Sequence, residues 1–321
     1  MEANRVYSTD DIAHIVRYNE TKGFLNDMWN PKYGLGLYFS ALIEQGDQLY
    51  IPLGLRRKGE LKWYKALHAL FDGFSALESL FKEENIRFNI QTPPTPGPRN
   101  RIKALLSTLN SKPVESHRYI NQTPPIRGNN YKYASIQLRP MKERFSLTAV
   151  LGTIIAKNCM KHLTTNHTSR WMIPVRTHQG SGLNATYLGL NISTDHSYEQ
   201  THKQLVKKLK SGEHWGYYYL SRIGLLLGKH AIRYGTKKSL SKEKSLWLGT
   251  ISNLGVLGNI DEVEELLIVP PVRWHRPIGS AIYQLNDVLY ITFAVHESLS
   301  SVNMEKLAND IKQDALSLPT N

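Results

Sequence analysis

The sequence has little cysteine and no long apolar run. Its 321 residues include one cysteine, Cys159, which excludes an internal disulfide and fits a reducing compartment. Cys159 lies in a stretch with apolar periodicity, residues 147–163, and this pattern favours a small buried residue over a nucleophile. That stretch is too short and too polar-flanked to span a membrane. The N-terminal MEANRVYSTDD lacks the pattern of a secretory signal, so we expect a cytoplasmic protein.

Motifs for metals and nucleotide phosphates are also missing. The sequence contains no cysteine pair, no HExxH and no carboxylate-rich loop. His162 and His167 are five residues apart, which is off the same-face spacing of a helix, so we expect no metal site. There is no P-loop or GxGxxG motif, and the glycines of GLGLYF, residues 34–39, fall in a strand-like pattern.

Acidic residues are few relative to basic ones. The chain has 27 Asp and Glu against 40 Lys and Arg, a formal net charge of +13, which favours anionic partners. These include nucleic acid, a phosphorylated co-substrate, an acidic carrier protein and an anionic membrane surface. Composition does not choose among them. A nucleic-acid-binding protein therefore stays open as an alternative, although no zinc-finger spacing or RNA-binding aromatic signature supports it.

What is present is an alternation of strand-like and helix-like segments. Residues 35–67 predict three strands separated by turns, and the spacing after Gly73 predicts a helix. Strands are predicted in 171–177 and 187–194, with a hairpin folded at Asn286 and Asp287. Helices are predicted at 101–109, 147–163, 199–210, 213–233 and 305–316. The proline-containing residues 92–100, TPPTPGPRN, are the best boundary between parts of the chain.

Residues 68–73, HALFDG, carry the strongest candidate for chemistry. His68 follows a predicted strand, and its side chain has an unperturbed pKa that suits proton transfer near neutral pH, so it is a candidate general base. Asp72 is placed to orient the imidazole or to pair with an arginine, and Gly73 would allow the backbone to turn sharply. The alternative is a chance coincidence of these residue types in a turn.

The stretch HALFDG resembles the HxxxDG motif of the acyltransferase superfamily that contains chloramphenicol acetyltransferases, plant BAHD acyltransferases, peptide-synthetase condensation domains and bacterial wax ester synthases. Other segments are similar to parts of the same families. They are the strand pair QGDQLYIPLGLRRKGELKWYKAL, the helix RFSLTAVLGTIIAKNCMKHL, the strands in RWMIPVRT and YLGLNIS, and TISNLG. The similarity runs from about residue 45 to the end of the chain.

This resemblance implies a mixed α/β fold of two chloramphenicol acetyltransferase-like half-domains. Each half would be a mixed β-sheet flanked by helices, with the active-site tunnel between the two. We expect residues 1–91 to form a short first half that carries the motif and 92–136 to form a proline-bounded linker. Residues 137–321 would then form the second half, which carries SNLG.

The resemblance also implies an acyltransferase that moves an acyl group from a thioester to a hydroxyl or amine acceptor. The thioester would be carried by coenzyme A or an acyl carrier protein, with no tightly bound cofactor and no covalent acyl-enzyme. His68 would act as the general base. Ser252 and Asn253 are candidates for stabilising the oxyanion, the alternative being that they only satisfy a turn before Gly255.

Two further sets of residues are candidates for binding. The resemblance makes Asp72 a structural partner of an arginine, and Arg176 is one candidate for this pairing and for substrate contact, although a solvated arginine is equally consistent with the sequence. Arg56, Arg57 and Lys58 are candidates for holding phosphates of coenzyme A or an acidic carrier, the alternative being a solvated charged face. Residues 214–235 predict a helix that lines an acyl tunnel, rests on a membrane surface or packs in the core.

The chain also departs from these families. Leu67 occupies the first position of the paired-His form of the motif, and the terminal DFGWG-like segment of the BAHD enzymes is not found. The first half is short, so the site could be open on one side or completed by a second copy of the chain. A non-catalytic member of the same fold, which binds an acyl carrier or scaffolds a complex, therefore stays open beside the enzyme.

Overall fold

The computed structural model of the protein describes residues 6–7, 13–15, 17–46, 49–87, 94–111, 130–141, 145–178, 182–240, 247–299 and 301–318. In chain order its strands are β1 Val6–Tyr7, β2 Ala13–His14, β3 Tyr50–Arg57, β4 Glu60–Leu67, β5 Tyr131–Leu138, β6 Thr168–Arg176, β7 Ala185–Ser193, β8 Gly249–Val256, β9 Glu265–Ile268, β10 Ile278–Leu285 and β11 Val288–His296. Its helices are α1 Tyr18–Asn26, α2 Leu37–Ile43, α3 Gly73–Glu83, α4 Arg101–Leu109, α5 Leu147–Leu163, α6 Tyr198–Ser211, α7 Glu213–Leu226, α8 Gly228–Leu240 and α9 Met304–Leu316.

These strands form two mixed sheets flanked by helices, which confirms the predicted architecture. The smaller sheet has the order β2-β4-β3-β9 and the larger the order β1-β5-β11-β10-β8-β6-β7. Each sheet takes one strand from the other half of the chain, because β9 pairs with β3 and β1 pairs with β5. Both halves are therefore tied together by backbone hydrogen bonds as well as by side-chain packing.

The apolar core follows this division into two sheets. Helices α5 and α9 pack together beside the larger sheet and contribute to its core. Cys159 lies in that core and is fully buried, which raises the pKa of its thiol and fits the predicted packing role. A second cluster joins the sheets, with Leu53 of β3, Leu77 of α3 and Leu254 of β8 among its members. Helix α3, which begins directly after the HxxxDG motif, is thus anchored to both halves.

One predicted strand is wrong, because residues 37–43 form helix α2. A short apolar run does not distinguish a strand from a helix by itself. The buried residues of this segment, Leu37, Ser40 and Ala41, are three and four positions apart, and α2 packs against α8. Tertiary packing on one helical face therefore decides the conformation of this segment. The two glycines before it, Gly34 and Gly36, lie in the 3₁₀ helix Pro31–Gly36 rather than in a strand.

The predicted helix over 213–233 is also corrected, since it consists of two helices. Gly228 has a φ of 83°, a left-handed conformation that ends α7 and that glycine adopts without steric cost. Helix α8 then starts in a new direction while the apolar pattern continues. Neither helix, nor any other helix in the ranges given above, is long and apolar enough to cross a membrane.

The division into 1–91, 92–136 and 137–321 stays a prediction. Much of the predicted linker, residues 112–129, lies outside the described residues. The boundary after residue 136 falls inside β5, which pairs with β11 along its whole length from Tyr131 to Leu138. After the proline-containing segment, the strands of the larger sheet therefore begin at Tyr131, within the predicted linker.

Candidate active site

A cavity of about 950 Å³ is lined by residues of both sheets. This volume lies in the range typical of sites for small molecules. Much of its wall is apolar and comes from α2, β6, α7 and α8. Its ionisable members include two histidines and four charged residues, which are His68, His275, Asp72, Arg176, Arg273 and Arg276. One chain thus contributes residues of both of its halves to a single site.

His68 lies at the end of β4 with part of its ring facing this cavity. Its Nδ1 is 2.7 Å from the carbonyl oxygen of Phe71, and since a carbonyl only accepts, Nδ1 carries the proton. Nε2 is then unprotonated and makes no hydrogen bond with the described residues. Burial lowers the pKa of His68 to about 4, and the charges of Arg276 and Arg273 add to this effect. The ring is therefore neutral at neutral pH, with its lone pair available.

Asp72 holds the loop that follows His68. It is 5% exposed, and its Oδ1 accepts from the backbone N–H of Ser75, which caps α3, at 2.9 Å. Its Oδ2 accepts from the backbone N–H of Asn184, in the loop between β6 and β7, also at 2.9 Å. No ion pair joins Asp72 to Arg176, whose Nη2 lies 3.9 Å from Oε1 of Glu78, so the predicted pairing of these two residues is wrong. Asp72 instead ties the His68 loop to the second half of the chain.

Gly73 is the first residue of α3, and the turn before it does not use a left-handed backbone conformation at this glycine. Its φ is not among the positive values of the described residues. A Cβ placed on Gly73 would stand 3.3 Å from Cδ2 of Leu254, which is closer than most side-chain contacts. A side chain at position 73 would therefore require Leu254 of β8 to shift, because this strand of the larger sheet approaches the start of α3 closely.

Ser252 and Asn253 line the cavity on β8, where both are half-buried. The hydroxyl of Ser252 makes no hydrogen bond with another described residue. Asn253 donates through Nδ2 to Thr148 Oγ1 at 2.9 Å and accepts at Oδ1 from the N–H of Gly255 at 2.8 Å. The strand carries a bulge here, which Asn253 stabilises. Ser252 is therefore the better placed of the two as a donor to substrate, and Asn253 has the predicted alternative role of satisfying local backbone.

Arg176 lines the same cavity at the end of β6. Its guanidinium lies 5.1 Å from the ring centroid of Phe74 and 3.9 Å from Oε1 of Glu78. Its Nε donates to the carbonyl of His178 at 3.3 Å. Arg176 is thus held between α3 and the β6–β7 loop, on the wall of the cavity where it was predicted to contact substrate.

Arg56, Arg57 and Lys58 do not line the cavity, so their predicted role in phosphate binding is not supported. Arg56 pairs with Glu265 at 3.1 Å, and Arg57 pairs with Glu84 at 3.2 Å and with Glu262. These residues sit at the β3–β4 turn, and His68 follows the far end of the eight-residue strand β4, roughly 25 Å away. Neighbouring carboxylates, which the sequence pattern does not place there, neutralise the turn.

Among the histidines and charged residues of the cavity wall, sequence reasoning missed three, namely Arg273, His275 and Arg276. They come from the loop between β9 and β10, with the sequence PPVRWHRP. Burial, with the charges of Arg273 and Arg276, lowers the pKa of His275 to about 3. A run of basic residues between prolines was the available signal, but it is shorter than the lysine-rich runs elsewhere in the chain.

The α7–α8 pair completes the cavity wall. Tyr217, Ser221 and Gly224 of α7 and Ile232 of α8 line it, which agrees with the predicted tunnel-lining role of residues 214–235. The two helices do not pack as a buried core element, because Leu226 and Leu227, where they meet, are 87% and 69% exposed.

Comparison with solved structures gives the fold. The wax ester synthase/diacylglycerol acyltransferase from Marinobacter aquaeolei VT8 matches over 80% of this chain and 67% of its own, with 12% identity and a TM-score of 0.50. A mutant of the starter condensation domain of rhizomide synthetase RzmA, in complex with C8-CoA and Leu-SNAC, matches over 81% and 66%, with 11% identity and a TM-score of 0.50. The chain thus spans about two thirds of the length of these structures. No protein-family model and no curated sequence matches it.

Structures with this fold therefore include an acyltransferase and a condensation domain that was crystallised with an acyl-CoA. The two mixed sheets flanked by helices agree with these matches. The protein has the two-lobed chloramphenicol acetyltransferase-like fold of condensation domains and wax ester synthases.

Proposed function

We propose that the protein is an acyltransferase that moves an acyl group from a thioester to a hydroxyl or amine acceptor. The observation that carries this proposal is the state of His68. Its Nδ1–H is held by the Phe71 carbonyl, its neutral ring leaves Nε2 unprotonated, and the residue lines a cavity that both halves of the chain form. A fixed neutral imidazole beside a large cavity is suited to general base catalysis.

In the proposed reaction, Nε2 of His68 takes the proton of the acceptor hydroxyl or amine as its oxygen or nitrogen bonds to the thioester carbonyl carbon. The carbonyl π electrons move to oxygen and form a tetrahedral oxyanion. Collapse of this intermediate breaks the carbon–sulfur bond, and the proton held by His68 passes to the leaving thiolate. The products are an ester or amide and a free thiol, and no acyl-enzyme forms.

The Ser252 hydroxyl is the proposed donor to the oxyanion. It lines the cavity on β8, and no described residue accepts its proton. A positioned donor is effective because charge on the oxyanion develops in an environment with little water. Asn253, which is bonded to Thr148 and Gly255, supports this segment by holding the bulge.

Assay of the wild-type protein with octanoyl-CoA and a panel of alcohols and amines is the direct test. We expect thiol release that depends on the acceptor, with ester or amide product detected by mass spectrometry and no acylated protein. A donor on an acyl carrier protein is assayed in parallel, because the cavity does not distinguish the two carriers. Absence of turnover with both donors, together with binding of an acylated carrier, would instead favour the non-catalytic member of this fold.

We further propose that the α7–α8 junction docks on an anionic bilayer. Ile223, Leu226 and Leu227 are exposed there, and Leu227 also lines the cavity. Residues 214–240 contain five Lys and Arg and no Asp or Glu. An apolar tip surrounded by positive charge is typical of surfaces that enter the headgroup region of anionic lipid. Docking in this orientation would present the cavity to long-chain donors.

Cosedimentation with phosphatidylglycerol vesicles tests this surface. We expect the wild-type protein to sediment with them but not with phosphatidylcholine vesicles, and Leu226→Asp to lower the partition coefficient by about tenfold, since burial of one leucine is worth about 1.5–3 kcal/mol. Leu316→Asp on α9, at a leucine that is also exposed, is the matched control. Equal partitioning of the two variants, or binding to a carrier protein but not to vesicles, would contradict the proposal.

A further inference from the structure

The loop from Pro270 to Pro277 carries two arginines into the cavity. It joins β9 of the smaller sheet to β10 of the larger one. Two backbone hydrogen bonds close it, from the N–H of Arg273 to the carbonyl of Arg276 at 3.1 Å and the reverse at 2.9 Å. Prolines at both ends restrict its backbone. The two guanidinium groups thus belong to a tight, cross-linked turn, which limits the entropy lost when a ligand binds.

Both arginines are positioned by residues near His68. The guanidinium carbon of Arg273 lies 6.0 Å from the ring centroid of Phe39, and the ring of His68 lies 4.8 Å from that same centroid. Arg273 and His68 are therefore separated by no more than the sum of these distances. Arg276 donates through Nη1 to Sδ of Met172 on β6 at 2.9 Å. Arg273, Arg276, His68 and Met172 all line the one cavity.

Positive side chains outnumber negative ones among the described residues that line the cavity. Of these described residues, one is a carboxylate, Asp72, and three are arginines. The Asp72 carboxylate is already occupied by donors of Ser75 and Asn184, and Arg176 faces Glu78 across 3.9 Å. The chain between Glu265 and Asp287 contains no acidic residue. The β9–β10 loop thus contributes two guanidinium groups to one end of the cavity, and such groups attract anions.

We propose that Arg273 and Arg276 bind an anionic group, a carboxylate or a phosphate, of the acceptor that His68 deprotonates. The proposal rests on the proposed function, because it names the class of acceptor for that reaction. Guanidinium groups bind carboxylate and phosphate through paired, charge-assisted hydrogen bonds. Such an anchor would place the hydroxyl or amine of the acceptor at Nε2 while the acyl thioester occupies the apolar part of the cavity.

An anion at this position would also act on the base. The charges of Arg273 and Arg276 contribute to the lowered pKa of His68, although burial is the larger cause. A bound carboxylate offsets these charges and raises the pKa of His68. His68 is then a stronger base with the acceptor in place than without it, which couples acceptor binding to proton transfer.

Binding of three probes of equal chain length tests the site without turnover. Octanoate, octanol and octylamine are titrated against the protein by calorimetry. We expect octanoate to bind about tenfold or more tightly than octanol, the effect of one charge-assisted hydrogen bond, and octylamine to bind least. Arg276→Gln should remove the preference for octanoate, and Arg273→Gln should do the same. Thermal melting establishes whether each variant folds. If Arg273→Gln does not fold, the octanoate preference of Arg276→Gln still tests the proposal, because Arg276 is only half-buried.

Arg56→Gln is the matched control, because it removes one positive charge at the distant β3–β4 turn. We expect it to keep the octanoate preference, so that net charge alone does not explain the result. Coenzyme A is titrated against the same variants, and we expect Arg276→Gln to leave its affinity unchanged. Equal binding of octanoate and octanol by the wild-type protein would overturn the proposal. So would weaker coenzyme A binding with an unchanged octanoate preference, since the arginines would then serve the donor phosphates. Neither result depends on whether the protein transfers acyl groups.

Discussion

His68→Ala is expected to lower kcat/KM for acyl transfer by about 100- to 10,000-fold, the usual contribution of a positioned general base. The substitution removes Nε2 and leaves the apolar wall of the cavity in place. The Phe71 carbonyl loses its Nδ1–H donor, but the space left by the imidazole adjoins the cavity that His68 lines, so water can replace the lost donor. We therefore expect the fold to persist. The measurement is acceptor-dependent thiol release from octanoyl-CoA, with thermal melting of the same samples.

His162→Ala is the control for this substitution. His162 is on α5, where it pairs with Asp310 at 2.9 Å, and it does not line the cavity. We expect activity to be unchanged in this variant.

The wild-type protein should also keep its activity as pH falls through 6.5, the ordinary pKa of histidine, and lose it only toward the lowered pKa of His68, about 4. Turnover of His68→Ala at the wild-type rate would remove the proposed mechanism.

Asp72→Ala is expected to lower both stability and activity. It removes the cap of α3, worth about 0.5–2 kcal/mol, and leaves the half-buried N–H of Asn184 without its carboxylate acceptor, which costs up to about 1–3 kcal/mol. The free energy of unfolding should fall by about 1.5–5 kcal/mol, as measured by urea denaturation. Because the loop that positions His68 loses its anchor, we expect kcat/KM to fall by about 100-fold.

Removal of a helix cap elsewhere in the chain separates the loss of stability from the loss of activity. Ser197 caps α6 with the same capping-box arrangement, and Ser197→Ala should cost about 1 kcal/mol with no loss of activity. Asp72→Asn keeps an acceptor for Ser75 but presents an amide to one of its two partners, so it should retain the cap and lose the Asn184 contact. If Asp72→Ala resembled Ser197→Ala in both stability and activity, the link between the halves would have no catalytic role.

Much of the candidate site follows from local sequence, and the rest depends on long-range contacts. Three elements were predicted from local sequence, namely the strand pair before His68, the helix that begins at Gly73 and the hairpin at Asn286 and Asp287. Their signals are residue periodicity, a helix cap and turn-forming residues. The role of Asp72 was not, since its partner Asn184 is 112 positions away. No local pattern encodes such a contact. The neighbour that a side chain at Gly73 would meet, Leu254 on the other sheet, is likewise distant in sequence.

The sequence alone determined that this chain forms alternating strands and helices around a histidine in an HxxxDG motif, because these features depend on neighbours within a few residues. Tertiary structure decided which charges face the cavity. Arg56 and Arg57 are neutralised by glutamates brought to them by strand pairing, whereas Arg273 and Arg276 reach the cavity because their loop crosses between the two sheets. Charge is a property of a residue, but its partners are set by the folded chain.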